Sequence, residues 1–118
     1  EKELTYKIRG AVYEASRQLG SGFLEKVYER ALILELANAG LDCESQKLIQ
    51  VIYKGVAVGE YFADIVVENK VILELKAQEK IRSEHKAQLI NYLKATGMKI
   101  GLLINFTHPK AEIKRFVL

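Results

Sequence analysis

The sequence predicts an α/β fold in the order ααβββαββ, carried on one domain over residues 1–118. Three observations predict it. Apolar residues recur at helical spacing through residues 4–38. Strand-forming runs separated by tight-turn residues fill 46–76. A further helical segment is then followed by an almost unbroken apolar run.

The first helix is expected over 4–19, where Ile8, Ala11, Val12, Ala15 and Leu19 keep helical spacing. Gly20 and Gly22 break it. Ser21 is a candidate cap for a second helix over 23–38, with Leu24, Val27, Ala31 and Leu34 expected on its apolar face. Gly40 is positioned to end that helix. QKLIQVIY at 46–53 reads as a strand, Lys54-Gly55 as a turn, and 56–67 as a second strand. Glu68-Asn69-Lys70 makes a short turn into VILELK at 71–76. These three strands are close enough in sequence to form an antiparallel meander. A third helix is expected over 83–95, with Ala87, Leu89, Ile90, Leu93 and Ala95 as its apolar content, stopped by Thr96-Gly97. KIGLLIN at 99–105 reads as a strand covered on both faces. After a loop marked by the only proline, Pro109, EIKRFV at 112–117 closes the sheet.

Composition narrows the function classes. About half of the residues are hydrophobic (49%), enough for one core. No apolar run approaches a bilayer span, so no membrane partner is expected. The opening EKELTYKIRG reads as a charged amphipathic segment, not a secretory leader. Cys43 is the single cysteine, which excludes an internal disulfide framework or thiolate cluster and suits an intracellular, cytoplasmic setting. The net charge of +3 favours polyanionic partners weakly. There is no tryptophan for base stacking, but six tyrosines are available.

Three runs carry charges in unusual places. Asp64 interrupts a hydrophobic strand in YFADIVV. Glu74 and Lys76 lie two apart in LELK and share a strand face. Glu25 begins a helix beside a hydrophobic row in GFLEKVYE. Counting outward from the 68–70 turn brings Asp64 and Glu74 close to facing one another. Two neighbouring carboxylates raise one another's pKa unless a cation fills the gap. Magnesium suits that place, because it takes few carboxylates, keeps waters and is completed by phosphate oxygens; the Leu75 carbonyl offers one more oxygen. Lys76 beside such an ion would hold an attacking water or stabilise transition-state charge. A second interpretation also fits the bare pattern: Asp64 as a structural charge paired to a nearby base, with Glu74 and Lys76 solvated on an edge strand.

On the third helix Gln88 and Tyr92 are four apart and share a face with His85, a polar stripe fit to line a cleft over the sheet. Half-buried Tyr92 and exposed His85 are the plainer alternatives. His108, in the loop before Pro109, is expected to be incidental. Basic candidates for phosphate contact include Lys54, Arg82 and Lys86, which would position a backbone and read no bases.

Together these motifs resemble the GxxExxY proteins, a branch of the PD-(D/E)XK nuclease superfamily. The naming motif stands as Gly22-Phe-Leu-Glu25-Lys-Val-Tyr28, the core acids as Asp64 and Glu74-Leu-Lys76, and the RecB-like QxxxY motif as Gln88-Leu-Ile-Asn-Tyr92. KGVAVGEY at 54–61 and NYLKATGMKIGLLINF at 91–106 extend the likeness over nearly the whole chain. The resemblance implies a restriction-endonuclease-like core, a central mixed sheet flanked by helices. It implies Glu25, Asp64 and Glu74 as metal ligands and Lys76 as the catalytic lysine. Gln88 and Tyr92 become supporting active-site residues, and Tyr28 a neighbour of the site. It implies a magnesium cofactor, with manganese as substitute, and a nucleic-acid partner, DNA first. A twofold homodimer would offer paired sites for duplex cleavage. Ser16 stands where the family often has histidine, and Phe62 where it often has arginine; neither change removes an implied ligand. Superfamily members also include inactive relatives, so the alternative is a catalytically silent nucleic-acid-binding or regulatory protein on the same fold.

Overall fold

The computed structural model describes residues 1–107 and 109–118; His108 lies outside the described residues. Eight elements follow in the predicted order: α1 (Lys2–Leu19), α2 (Glu25–Asn38), β1 (Cys43–Tyr53), β2 (Val56–Val67), β3 (Val71–Lys76), α3 (Ser83–Thr96), β4 (Ile100–Asn105) and β5 (Glu112–Val117). The strands stand side by side in chain order. β1–β2, β2–β3 and β4–β5 pair antiparallel, while β3 and β4 are parallel. A parallel pair needs a crossover, and α3 supplies it. Among the described residues no helix is long and apolar enough to cross a membrane.

Strand parity sorts the core into two layers. Val71, Leu73 and Leu75 of β3 pack with Ile8 and Val12 of α1 and with Tyr28, Leu32 and Leu36 of α2. Ile72, between them in sequence, packs with Leu89, Tyr92 and Leu93 of α3. β4 is buried along its whole length, as its unbroken apolar run requires. Each large side chain so buried contributes roughly 1.5–3 kcal/mol. Gly101 sets the closeness of the α3 layer: a Cβ there would lie 2.8 Å from Leu89 Cδ1 and 3.0 Å from Leu89 Cγ.

Three expectations need correction. Ser21 does not cap α2, whose N-cap is Leu24 with no side-chain hydrogen bond. The buried face of α2 carries Tyr28, Glu29, Leu32 and Leu36, whereas Leu24, Val27 and Leu34 are exposed. Two apolar stripes overlap on this helix, and the buried one is that which delivers the Tyr28 hydroxyl to partners. β1 starts at Cys43, ahead of the expected 46, because Cys43, Glu44 and Ser45 pair with Val67, Val66 and Ile65. Pairing to a buried neighbour overrides the weak strand preference of those polar residues.

The β1–β2 hairpin runs past the rest of the sheet. It closes on Lys54 (φ 48°) and Gly55 (φ 80°), the paired positive φ of a tight hairpin turn. Only Ile65, Val66 and Val67 of β2 pair with β3. The pleat also switches faces midway. Ile65 packs in the α1–α2 layer, yet Ala63, two residues earlier, packs in the α3 layer. Residues two apart on a regular strand share a face. The switch falls at Asp64, where the ladder passes from Ser45↔Ile65 to Lys47↔Ala63 and skips Gln46, which has φ 53°.

Candidate active site

The acids sit where β2 leaves β3. Regular pairing ends at Ile65↔Leu73. Beyond it the carboxylates take over the backbone contacts. The Asp64 N–H donates to Glu74 Oε2 at 2.8 Å, and the Leu75 N–H donates to Asp64 Oδ2 at 2.8 Å. Each carboxylate thus holds the other's strand. An extended residue points its N–H and C=O to the same edge, so the Leu75 carbonyl faces the side on which Asp64 lies.

Glu74 is 5% exposed. Burial pushes its carboxyl up to about 8, the Asp64 charge adds to the rise, and the Asp64 amide and Lys76 pull it back. The protein's own cations therefore under-compensate the pair. Lys76 follows on the same strand face and is partly buried. Among the described residues its ammonium group has no hydrogen-bond or ion-pair partner, while its charge is felt at Glu74 and at His85.

Glu25 arrives from the α2 N-terminus, and its Oε2 accepts the Ala77 N–H at 3.3 Å. The loop that delivers it is built by its neighbours. Gly22 takes φ 109°, which side-chain-bearing residues rarely adopt. The Tyr28 hydroxyl donates to the Gly20 carbonyl at 2.7 Å and accepts the Phe23 N–H at 3.2 Å, while its ring stacks on Phe106 at 4.4 Å. The glycine and tyrosine around Glu25 thus have a local purpose: one permits the turn, the other clamps it.

One helical turn after Glu25, the buried Glu29 accepts Ser45 Oγ at 2.8 Å, Gln46 Nε2 at 3.0 Å and Lys26 Nζ at 3.4 Å. Gln46 Nε2 also reaches Asp64 Oδ1 at 3.4 Å. Glu25, Glu29, Gln46, Asp64 and Ala77 line a cleft of about 510 Å³. Glu29, Gln46 and Asn105 were not singled out by sequence reasoning. Glu29 had a signal, being four residues after Glu25 on a helix. Asn105, opposite Lys76, is buried; its Nδ2 donates to the Gln78 carbonyl at 2.7 Å and its Oδ1 accepts the Gln78 and Thr107 N–H groups at 3.2 and 3.3 Å. It pins the segment leaving β3, and its signal was a lone amide ending an apolar strand.

His85 sits at the start of α3. Its Nδ1 accepts the Arg82 N–H at 3.1 Å, which leaves the proton of the neutral ring on Nε2. Burial lowers its pKa, and the Lys76 charge lowers it further. Gln88 and Tyr92 line a second cleft, of about 750 Å³, between α3 and the hairpin. The Tyr92 hydroxyl is pushed up to about 12, by burial first and then by Glu74 and Asp64. It stays protonated, and its ring packs in one cluster with Ala63, the residue before Asp64. The three basic candidates do not form one patch. Lys54 is at the hairpin tip, 5.5 Å from the Tyr53 ring centre. Arg82 is exposed at the α3 N-cap, 3.6 Å from Glu84. Lys86 lies against Lys114, and that like charge lowers its pKa.

Among the described residues no three His, Cys, Asp or Glu side chains form a preformed cation cage. The donors at the strand split are two carboxylates and a carbonyl edge, an oxygen set with excess negative charge. That chemistry fits magnesium, which binds through one or two carboxylates and keeps waters.

A helix-covered mixed sheet, with an aspartate and a Glu-x-Lys strand meeting at the point where two strands part, defines the class. The chain belongs to the PD-(D/E)XK nuclease superfamily, whose family model matches residues 2–116. No curated protein sequence matches it. Among solved structures, an alkaline exonuclease (LHK-Exo) from Laribacter hongkongensis is similar, with a TM-score of 0.59 at 14% identity over 78% of this chain and 55% of that one. SSO0001 is similar with a TM-score of 0.56 at 20% identity over 78% of this chain and 50% of that one. At these identities the likeness is one of fold, and the chain spans about half the length of either structure.

Proposed function

We propose that the protein is a magnesium-dependent nuclease that hydrolyses phosphodiester bonds, most readily in DNA, and belongs to the GxxExxY branch of its superfamily. The observation that carries this reading is the Asp64–Glu74 pair at the strand split, Glu74 buried and Asp64 partly so, each carboxylate bound to the other strand's backbone. Asp64, Glu74 and the Leu75 carbonyl would hold the ion, with Glu25 as a further ligand directly or through water. When bound, magnesium (or manganese) supplies Lewis acidity to the scissile phosphate and acidifies water. Lys76, without a partner among the described residues, holds the attacking water and stabilises charge growing on the phosphate. The water gives up a proton to solvent as its oxygen bonds to phosphorus, the bond from phosphorus to the ester oxygen breaks, and that oxygen takes up a proton from solvent. Tyr92, protonated across the physiological range, donates a hydrogen bond towards the acids or the phosphate, and Gln88 orients the strand beside it. Arg82 and Lys86 contact the backbone on the α3 side, and Lys54 contacts it at the hairpin tip.

The test is cleavage of single-stranded, duplex and branched DNA, and of RNA, in magnesium. Asp64→Ala and Lys76→Ala are expected to lose at least about 100-fold in rate, the scale of removing one positioned electrostatic group, while circular dichroism shows the fold retained. Wild-type rates in Asp64→Ala would sink the assignment. Sedimentation with and without DNA tests for the twofold dimer.

A further inference from the structure

The second cleft has a different chemistry from the acid site. Its apolar walls are Val51 and Ile52 on the hairpin and Ala87 and Ala95 on α3. Its polar groups include the neutral amides of Gln88 and Asn91, three residues apart on one helix face. One acidic and one basic side chain, Glu84 and Lys94, flank it, so it carries no excess positive charge for a phosphate. The Tyr61 ring lies 5.8 Å from the Tyr92 ring, tilted 46°. Tyr61 is also 48% exposed, so much of that ring is free. Its ring packs over Gly59, where an added Cβ would sit 3.4 Å from Tyr61 Cε2. The cleft volume of about 750 Å³ falls in the range of ligand sites, roughly 300–1,000 Å³. Tyr92 joins this cleft to the acids, since it packs in one cluster with Ala63, the residue before Asp64.

We infer that this cleft receives an unstacked nucleobase of the strand being cut, so that the preferred substrate is single-stranded or frayed nucleic acid. The proposal rests on the nuclease reading for its placement beside the scissile phosphate. Tyr61 offers the stacking face, the alanines and Val51 exclude water from the base, and the Gln88 and Asn91 amides meet its edge. Amides offer both donors and acceptors, so they can match base edges, which carry both. A base held in a duplex is stacked on both faces and cannot enter without being extruded.

The test is binding of a fluorescein-labelled single-stranded oligonucleotide and of its blunt duplex, by anisotropy, with calcium replacing magnesium. Wild type is expected to prefer the single strand. Tyr61→Ala should weaken single-strand binding about 5- to 150-fold, the span of one base–aromatic stack, and leave duplex binding unchanged. Tyr61→Phe should restore it, and Ala87→Trp, which fills the cleft from an exposed position, should reproduce the loss. Equal affinity of wild type for the two substrates, equal losses on both in Tyr61→Ala, or no loss at all would overturn the proposal. Cleavage in magnesium is scored separately. Single-strand selectivity without cleavage removes the catalytic reading and keeps the cleft, whereas cleavage indifferent to Tyr61→Ala removes the cleft alone.

Discussion

Glu74 makes the metal-free fold sensitive to pH in an unusual direction. Its carboxyl is held up to about 8 in the folded chain, against 4.5 for the unperturbed group, and burial is the main cause. Between those values the folded chain keeps a proton that the unfolded chain has lost. Stability therefore falls as pH rises through that window, by about 1.4 kcal/mol per unit. Below about 4.5 the group contributes no difference, and above about 8 the loss is complete. The ceiling is about 5 kcal/mol across the window. The coupled Asp64 charge shares it, because the two carboxylates titrate as a pair.

The assay is urea unfolding of the metal-free protein from pH 5 to 9, wild type beside Glu74→Gln. The amide is nearly isosteric and still accepts the Asp64 N–H, but it cannot ionise. The two proteins should be close in stability at the acid end, and Glu74→Gln should lead by several kcal/mol at the alkaline end. Magnesium, which favours the ionised pair, should close the gap for wild type alone and release a proton as it binds. A wild-type-minus-variant difference that stays flat across the window would refute the reasoning, because it would mean that Glu74 is ionised throughout.

Two further substitutions test the scaffold. Gly101→Ala drives a methyl group to within 2.8–3.1 Å of the buried Leu89 side chain. Overpacking of this kind costs about 1–3 kcal/mol, to be measured as a lowered urea midpoint with an unchanged slope. Tyr28→Phe keeps the stack on Phe106 but removes the bonds to Gly20 and Phe23. It should cost about 1–3 kcal/mol and, under the nuclease reading, lower cleavage by loosening the loop that carries Glu25; unaltered stability would show that the hydroxyl clamps nothing.

Local features were legible in the sequence and long-range ones were not. The 68–70 turn joins the strands of Asp64 and Glu74, so simple counting brought the two acids together. Alternation along VILELK put Glu74 and Lys76 on one face for the same local reason. The register of α2 was not legible, because Val27, Ala31 and Leu34 form as regular a stripe as Tyr28, Leu32 and Leu36. What decided between them was the Tyr28 hydroxyl, satisfied only by the loop eight and five residues earlier. Glu29 and Asn105 take their meaning from partners that are remote in the chain or lie in a turn: Ser45 and Gln46 for the first, Gln78 for the second. No periodicity announces such contacts. Likewise, Lys54 and Lys86 look alike in a charge tally, yet one ends the hairpin and the other faces Lys114 across the α3–β5 surface.

Gln46 brings these threads together. The β1–β2 ladder skips it where the hairpin changes face, it has φ 53°, and its amide spans Glu29 and Asp64. A left-handed conformation costs a side-chain-bearing residue roughly 1–2 kcal/mol, and glycine avoids that cost. Glycine also loses the amide, worth about 1 kcal/mol per hydrogen bond, and orders a freer backbone at a further 0.5–1 kcal/mol or so. With two such bonds lost, to Glu29 and to Asp64, the balance is a net loss of about 1 kcal/mol, so Gln46→Gly should be modestly less stable but folded. The Asp64 carboxylate would then lose its hold from β1, keeping the Leu75 N–H and its Glu74 neighbour. On the nuclease reading, cleavage should fall about tenfold, the equivalent of losing roughly 1.4 kcal/mol of positioning. Gln46→Asn tolerates the same φ with a shorter side chain and should show the same loss. Full activity in both variants would mean that Asp64 needs no orientation from β1, and that the change of face at residue 64 serves the packing of the hairpin alone.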